Sequence, residues 1–389
     1  MSRAEGRVTR EAAGGSDRRP KPGRLISLDC FRGAIVAGMV LVNNPGDPSH
    51  VYSQLEHVAW HGMTFADVIA SWFIWIIGIT MAISLSRRLD TMDRLAVFKH
   101  VVYRAVVLYG VGVGLSLVPA LLEASGSLVL ENLKLMGILQ RIALSYIFGS
   151  SLFLLVSRWE RAMIAALLLV GYWVVMAWIP GPAMGTEPFA VDGNRAYILD
   201  RQIFEHFGDI GSHSLLTILP VTSTILLGTL AGDLVRGEGT ALRRLLGLFA
   251  GGVGLCVVAL FVSQWIPINR RLWTPSFALL TSGVAVLVFA ALSWLLDVQR
   301  TRKGTEWLIA FGRNPIFLFV LSEVVRIIAE TKGIRDSAGN WRSYWTVGYE
   351  TLLSIADPKA ASAIFALAYV ISFGIVAVAM HRKGWIVKI

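Results

Sequence analysis

Cysteine is almost missing from this chain. Its two cysteines, Cys30 and Cys256, fall in different apolar runs with no second cysteine near either. That spacing supplies neither a redox pair nor a zinc knuckle, so both thiols read as packing groups. No His-Glu-x-x-His sequence occurs, and no cysteine or carboxylate stands at a familiar ligand spacing, so no metal is expected. Charge is scarce as well, at 16% of residues, against roughly 25% in an average soluble domain. With 55% hydrophobic residues and a mean hydropathy of +0.61, the chain reads as an integral membrane protein.

What is there is a series of apolar runs of about 20 residues, each long enough to cross a hydrocarbon core of roughly 30 Å. Ten spans are read, near 26–43, 66–85, 98–118, 134–156, 161–179, 215–235, 244–265, 275–296, 305–328 and 361–380. The expected fold is therefore all-α, a polytopic transmembrane bundle of 10 to 11 spans and one domain over 25–389. Residues 1–24 are basic, polar and too hydrophilic for a signal peptide; they read as a disordered tail. With that tail in the cytoplasm, inner segments hold 22 Lys and Arg and outer segments 9. This asymmetry orients the bundle with both termini cytoplasmic. It also assigns the formal charge of +10 to topology and the lipid bilayer rather than to nucleic acid. The glycine runs Gly110-x-Gly112-x-Gly114 and Gly251-Gly252-x-Gly254 permit close helix contact, within the chain or in a homo-oligomer.

Polar groups at membrane depth mark functional sites by default, and here they form two levels. Towards the cytoplasm lie Asp29 and Arg32, three apart and spaced to pair, with Arg104, Arg313 and Asn314. Towards the outside lie Asp67, Arg141, Glu323 and Arg326, of which Arg141 stands about seven residues into its predicted span, roughly 10 Å deep. The outer loop after the first span carries His50, His57 and His61. Imidazole is the side chain best suited to accept a proton near neutral pH, and it also serves as a nucleophile. Functional groups gather in such loops when a rigid scaffold positions them.

The motifs Arg24-Leu25-x-Ser27-Leu28-Asp29-x-x-Arg32-Gly33, Met39-Val40-Leu41-Val42-Asn43-Asn44-Pro45-Gly46 and His57-x-x-Trp60-His61-Gly62-Met63-Thr64-x-x-Asp67 resemble the heparan-alpha-glucosaminide N-acetyltransferase family, including its bacterial members. Further matches follow in order at Leu139-Gln140-Arg141, Tyr197 to Arg201, Asn269-x-x-Leu272-Trp273-Thr274-x-Ser276, Gly312-x-Asn314-Pro315-Ile316 and Trp385-Ile386-x-Lys388-Ile389. The resemblance implies a multi-pass acyltransferase of the bacterial inner membrane, with acetyl-CoA as donor and a small amino sugar as acceptor. It implies His57 as the catalytic histidine, assisted by Asn43. Trp60, His61, Asp67, Arg141, Asn269, Trp273 and Glu323 are then expected around the acceptor. Asp29, Arg32, Arg104, Arg313 and Asn314 are expected around coenzyme A.

Two stretches depart from the family pattern. Ala70-Ser71 replaces a Phe-Pro pair after Asp67, and Gly211-Ser212-His213-Ser214 replaces an Asp-Pro-Glu-Gly sequence. A different class also fits embedded charges, namely a transporter or flippase for a small or lipid-linked sugar with no covalent step. Release of CoA thiol separates the two.

Overall fold

The computed structural model describes residues 25–122, 134–178, 187–191, 194–204, 214–336 and 339–387. The basic tail at 1–24, positions 211–213 and the closing 388–389 lie outside these. Thirteen helices run through the described residues: α1 (Ile26–Asn43), α2 (Phe65–Leu89), α3 (Arg94–Leu122), α4 (Ile138–Leu155), α5 (Arg158–Trp178), α6 (Arg195–Phe204), α7 (Ile218–Arg236), α8 (Ala241–Val262), α9 (Pro275–Ser293), α10 (Glu306–Arg313), α11 (Pro315–Thr331), α12 (Tyr344–Leu353) and α13 (Pro358–Arg382). Among the described residues, nine stretches are long and apolar enough to cross a bilayer, and α10 with α11 forms a tenth that bends by 84°. A polytopic helical membrane protein results, in agreement with the sequence. One short antiparallel hairpin, β1 (Gly333–Arg335) with β2 (Trp341–Ser343), pairs Gly333 with Ser343 and Arg335 with Trp341.

Burial sorts the helices. About 67% of α7 is buried but only 17% of α8, so α1, α2 and α7 form the interior while α3, α8 and α13 show apolar faces outward, as lipid-facing helices do. Without a hydrophobic drive between helices in lipid, close packing needs small residues at crossings. A Cβ on Gly228 would lie 2.1 Å from the Trp75 carbonyl oxygen, and one on Gly78 would lie 2.2 Å from that of Ile225, which brings α2 and α7 into backbone contact. In the two glycine runs only Gly112 and Gly252 meet a neighbour; Gly110, Gly114, Gly251 and Gly254 face open space.

The end of the bundle away from the His57 loop is held by polar clasps. No side chain of its own caps α1, so its first N–H groups need outside partners. The Asp297 carboxylate supplies them, accepting from the Ile26 and Ser27 N–H groups at 3.1 and 3.4 Å and from the Ser27 hydroxyl. The break between α10 and α11 follows from Pro315, which starts a new helix at its first position. Asn314, 1% exposed, fixes that break to the C-terminal segment by donating to the Trp385 carbonyl and accepting from the Val387 N–H, both at 2.9 Å.

Gly33 and Gly312 give a measurable consequence. A Cβ on Gly312 would sit 2.1 Å from the Asp29 carbonyl oxygen, whereas one on Gly251 would meet nothing within 4 Å. Gly312→Ala is expected to lose about 1–3 kcal/mol of stability and Gly251→Ala almost none, as read by thermal unfolding in detergent.

Candidate functional site

The site begins with how α2 starts. Thr64-Phe65-Ala66-Asp67 forms a capping box, in which the Asp67 carboxylate reaches back to the Thr64 N–H at 3.0 Å. A capping carboxylate is usually surface-exposed, yet Asp67 is 0% exposed because the His57 loop folds over it. It also accepts from the Val58 N–H at 3.3 Å, the Thr64 hydroxyl at 3.0 Å and His57 Nδ1 at 2.9 Å. Arg270 Nε lies 2.8 Å from the same Oδ1.

These contacts fix the chemistry of His57. An ionised carboxylate only accepts, so the shared hydrogen belongs to Nδ1 and the lone pair sits on Nε2. Arg270 places a positive charge beside the carboxylate. His57 is one-third exposed, so its ring is held from behind and open in front. That is the arrangement of a general base or a nucleophile with an orienting partner.

A second loop, residues 263–274 between α8 and α9, holds the first in register. Gly62 N–H donates to the Ile268 carbonyl at 2.8 Å, Asn269 Nδ2 to His61 Nδ1 at 3.4 Å, and Arg270 meets Asp67. Gly62 has φ +110°, a backbone state that a side chain would strain. The second loop is itself anchored. Asn269 Oδ1 accepts the Leu272 N–H at 2.9 Å, and the buried Tyr172 hydroxyl on α5 donates to the Leu272 carbonyl at 2.6 Å. Trp273 Nε1 donates to Thr224 Oγ1 on α7 at 3.0 Å. Trp60 ties the first loop to a third segment through Nε1 and the Phe189 carbonyl, at 2.7 Å.

Trp273 stands out by its backbone. Its φ is +51°, left-handed, while its side chain is wholly buried. Such a conformation costs a bulky residue of order 1–3 kcal/mol and persists where the surroundings enforce it. Here it presents the indole face to Arg141, whose Cζ lies 4.5 Å from the ring centroid. Arg141 is nearer the end of its helix than the sequence suggested, because α4 starts at Ile138 and not at 134. It is nevertheless only 2% exposed.

The remaining expected site residues divide. Asn43 is the last residue of α1 and half-buried; its neighbour Asn44 is fully buried and donates to the Val40 carbonyl at 2.7 Å. Glu323 is paired with Arg326 at 2.8 Å, which also holds Glu330 at 2.7 Å on the same face of α11. At the opposite end Arg32 pairs with Asp29 at 2.7 Å and reaches the Gly312 carbonyl, which joins α1 to α10. Arg313 donates to His381 Nδ1 on α13 at 3.0 Å, and Arg104 lies 5.8 Å from the Tyr146 ring. His50 pairs with Asp47 at 2.8 Å.

Arg270, Thr64, Thr224 and Tyr172 were not singled out from the sequence. Two signals were available: Thr-x-x-Asp ahead of an apolar run marks a helix start, and Arg270-Arg271 is a basic pair in a loop class where basic residues are sparse.

A helical membrane bundle with a loop-borne imidazole, oriented by a buried carboxylate and open on one side, has the geometry that group transfer or acid–base catalysis would require. Residues 24–260 match the family described as "Heparan-alpha-glucosaminide N-acetyltransferase, catalytic", and the chain belongs to that family. It is 26% identical to the heparan-alpha-glucosaminide N-acetyltransferase of Homo sapiens, over 78% of this chain and 53% of that protein. It is 25% identical to that of Mus musculus, over 79% and 54%. The chain thus spans about half the length of the curated relatives it matches.

Asp200 on α6 adds a pH dependence beside the site. It is 3% exposed and accepts the Leu215 N–H at 2.9 Å. Burial pushes its carboxyl up to about 6, while the Leu215 N–H and the Ser214 side chain oppose that shift. An acid that holds its proton more tightly when folded destabilises the fold above that value, and the penalty disappears as pH falls from about 6 towards the ordinary carboxylate range. Thermal stability is therefore expected to rise between pH 7.5 and 5. Asp200→Asn should stabilise the protein by about 1–2 kcal/mol at pH 7.5 and remove that rise.

Proposed function

We propose that this protein is a transmembrane N-acetyltransferase that takes acetyl from cytosolic acetyl-CoA and delivers it to the amine of a glucosamine-type sugar on the other side of a bacterial inner membrane. The observation that carries this reading is the contact of His57 Nδ1 with the Asp67 carboxylate at 2.9 Å, which assigns the hydrogen of the neutral ring to Nδ1. The Nε2 lone pair is then available to the amine that attacks the thioester carbonyl. In direct transfer the amine nitrogen forms the new C–N bond, the C–S bond breaks, and the proton taken by His57 passes to the departing thiolate. Alternatively Nε2 attacks the thioester carbonyl and forms an acyl–nitrogen bond as the C–S bond breaks and CoA leaves as thiolate; the amine then forms the C–N bond, the acyl–imidazole bond breaks, and the amine proton passes to the freed imidazole. Asn43, at the end of α1, is assigned to donate its amide N–H to the oxyanion.

The other assignments follow the layout of the bundle. Trp60, His61, Asn269 and Trp273 lie on the loops around His57 and are assigned to the acceptor, with Glu323 further along α11. Arg32, Arg104 and Arg313 match the pyrophosphate and ribose phosphate of coenzyme A in sign and number. Asp29 orients Arg32, and Asn314 fixes the helix break on which Arg313 sits. The pantetheine arm would pass between helices from one level to the other.

Purified protein with acetyl-CoA and glucosamine is expected to release free CoA thiol, and His57→Ala to abolish the release. Asp67→Asn should lower kcat by about 10²–10⁴-fold by permitting the wrong imidazole tautomer. Sugar transport without CoA turnover would reject the assignment in favour of a carrier. Acetylated protein trapped without acceptor would select the two-step route.

A further inference from the structure

Arg141 is the one strongly buried group of the site that the proposed transfer chemistry leaves unexplained. Its Nε and Nη1 are buried and have no hydrogen-bond partner among the described residues. Its described side-chain contact is the Trp273 ring, which offers a π-face and no negative oxygen. A charge that bears on it is another cation, Arg270, which is already paired with Asp67. The strained Trp273 backbone ties this platform to Arg270 directly, since Trp273 N–H donates to the Arg270 carbonyl at 3.2 Å.

A guanidinium in such a place is costly while its hydrogens go unpaired, and the cost is recovered when an anion arrives. Packing alone does not account for it, because an apolar side chain of similar size would fill the space without the penalty. Arg161 shows what a structural buried arginine looks like in this bundle: it is paired to Asp233 at 2.6 Å and to Thr229 at 2.9 Å.

We propose that Arg141, stacked on Trp273 and linked through Arg270 to the Asp67–His57 pair, is an anion-recognition subsite, and that the acceptor is an amino sugar carrying anionic oxygens, a phosphate or a carboxylate, rather than unsubstituted glucosamine. This rests on the acetyl-transfer reading for its position next to the reacting amine. Binding of the acceptor is a separate property and is measured separately. Phosphate and carboxylate share the chemistry that a buried guanidinium selects, and both place acceptor oxygens on the N–H groups now unpaired. Recognition by a site that must otherwise leave buried donors unpaired discriminates strongly against an analogue lacking the group.

The test compares glucosamine, glucosamine 6-phosphate and muramic acid, the carboxylate-bearing ether of glucosamine, as ligands of the purified full-length protein without acetyl-CoA, by calorimetry, and then as acceptors with it. At least one anionic sugar is expected to bind about 10–100-fold more tightly than glucosamine, and inorganic phosphate should compete with it if the phosphate is the group read. Arg141→Gln should erase the preference, raising KM for the anionic sugar while leaving kcat within about threefold. Arg141→Lys, which keeps the charge, should retain part of it if the glutamine variant proves unstable. Equal binding of all three sugars by the wild-type protein would overturn the proposal, as would a loss confined to kcat or to acetyl-CoA affinity. Arg141-dependent binding of an anionic sugar without any acetyl transfer would keep the subsite and reject the transfer reading; acetylation of all three with equal KM would do the reverse.

Discussion

One buried carboxylate holds the His57 end of the molecule together. Asp67 has no exposed surface, yet it stands at the start of a membrane-spanning helix where a charge ordinarily reaches water. Isolated, a carboxylate in that position would cost several kcal/mol. The cost is offset by donors drawn from three parts of the chain: its own helix cap at Thr64, the loop positions His57 and Val58, and Arg270 from a loop two hundred residues later. The loops fold over Asp67 because that is how its charge is satisfied. The orientation of His57 is therefore a by-product of satisfying Asp67, part of the fold rather than an addition to it.

The two loops and the helices beneath them form a chain of constraints. Gly62 meets Ile268, His61 meets Asn269, and Asp67 meets Arg270. The second loop is fixed in turn to α5 through Tyr172 and to α7 through Trp273. α7 packs on α2 at the Gly78 and Gly228 crossing, and α2 carries Asp67. The circuit closes on itself. A loop in such a circuit has little freedom, and a base held this way needs little reorganisation when substrate arrives.

Much of this architecture could be read from residue types alone, because bilayer thickness imposes a length on apolar runs and each of the ten expected spans has its helix or broken pair. His57 and Asp67 stood out in the sequence through their motif, and the contact between them follows from Asp67 occupying the third position of α2. Arg270 was not legible. Its pairing depends on where two loops meet in space, which no local periodicity encodes. The same holds for Asn314: its polarity at a helix break marked it as special, but only the fold shows both sides of its amide engaged by Trp385 and Val387. Arg141 was marked by depth in an apolar run. Depth misjudged its height on the helix, since α4 starts four residues later, while its burial comes from Trp273 instead.

The contrast among the arginines of this bundle is informative. Arg32, Arg161 and Arg326 each have a carboxylate within 2.8 Å, at Asp29, Asp233 and Glu323. In each pair, removal of one partner would leave the other uncompensated. Arg270 is paired too, but its partner is the carboxylate that also holds His57 Nδ1. Arg141 is as buried as Arg161 and more so than Arg32 or Arg326, and its Nε and Nη1 have no hydrogen-bond partner among the described residues. Stacking on an indole recovers about 2 kcal/mol at best, well short of what an unpaired buried cation costs. The fold tolerates that deficit in the layer where it also tolerates a left-handed tryptophan, and strain of two kinds at one spot is the mark of a site shaped for something other than stability.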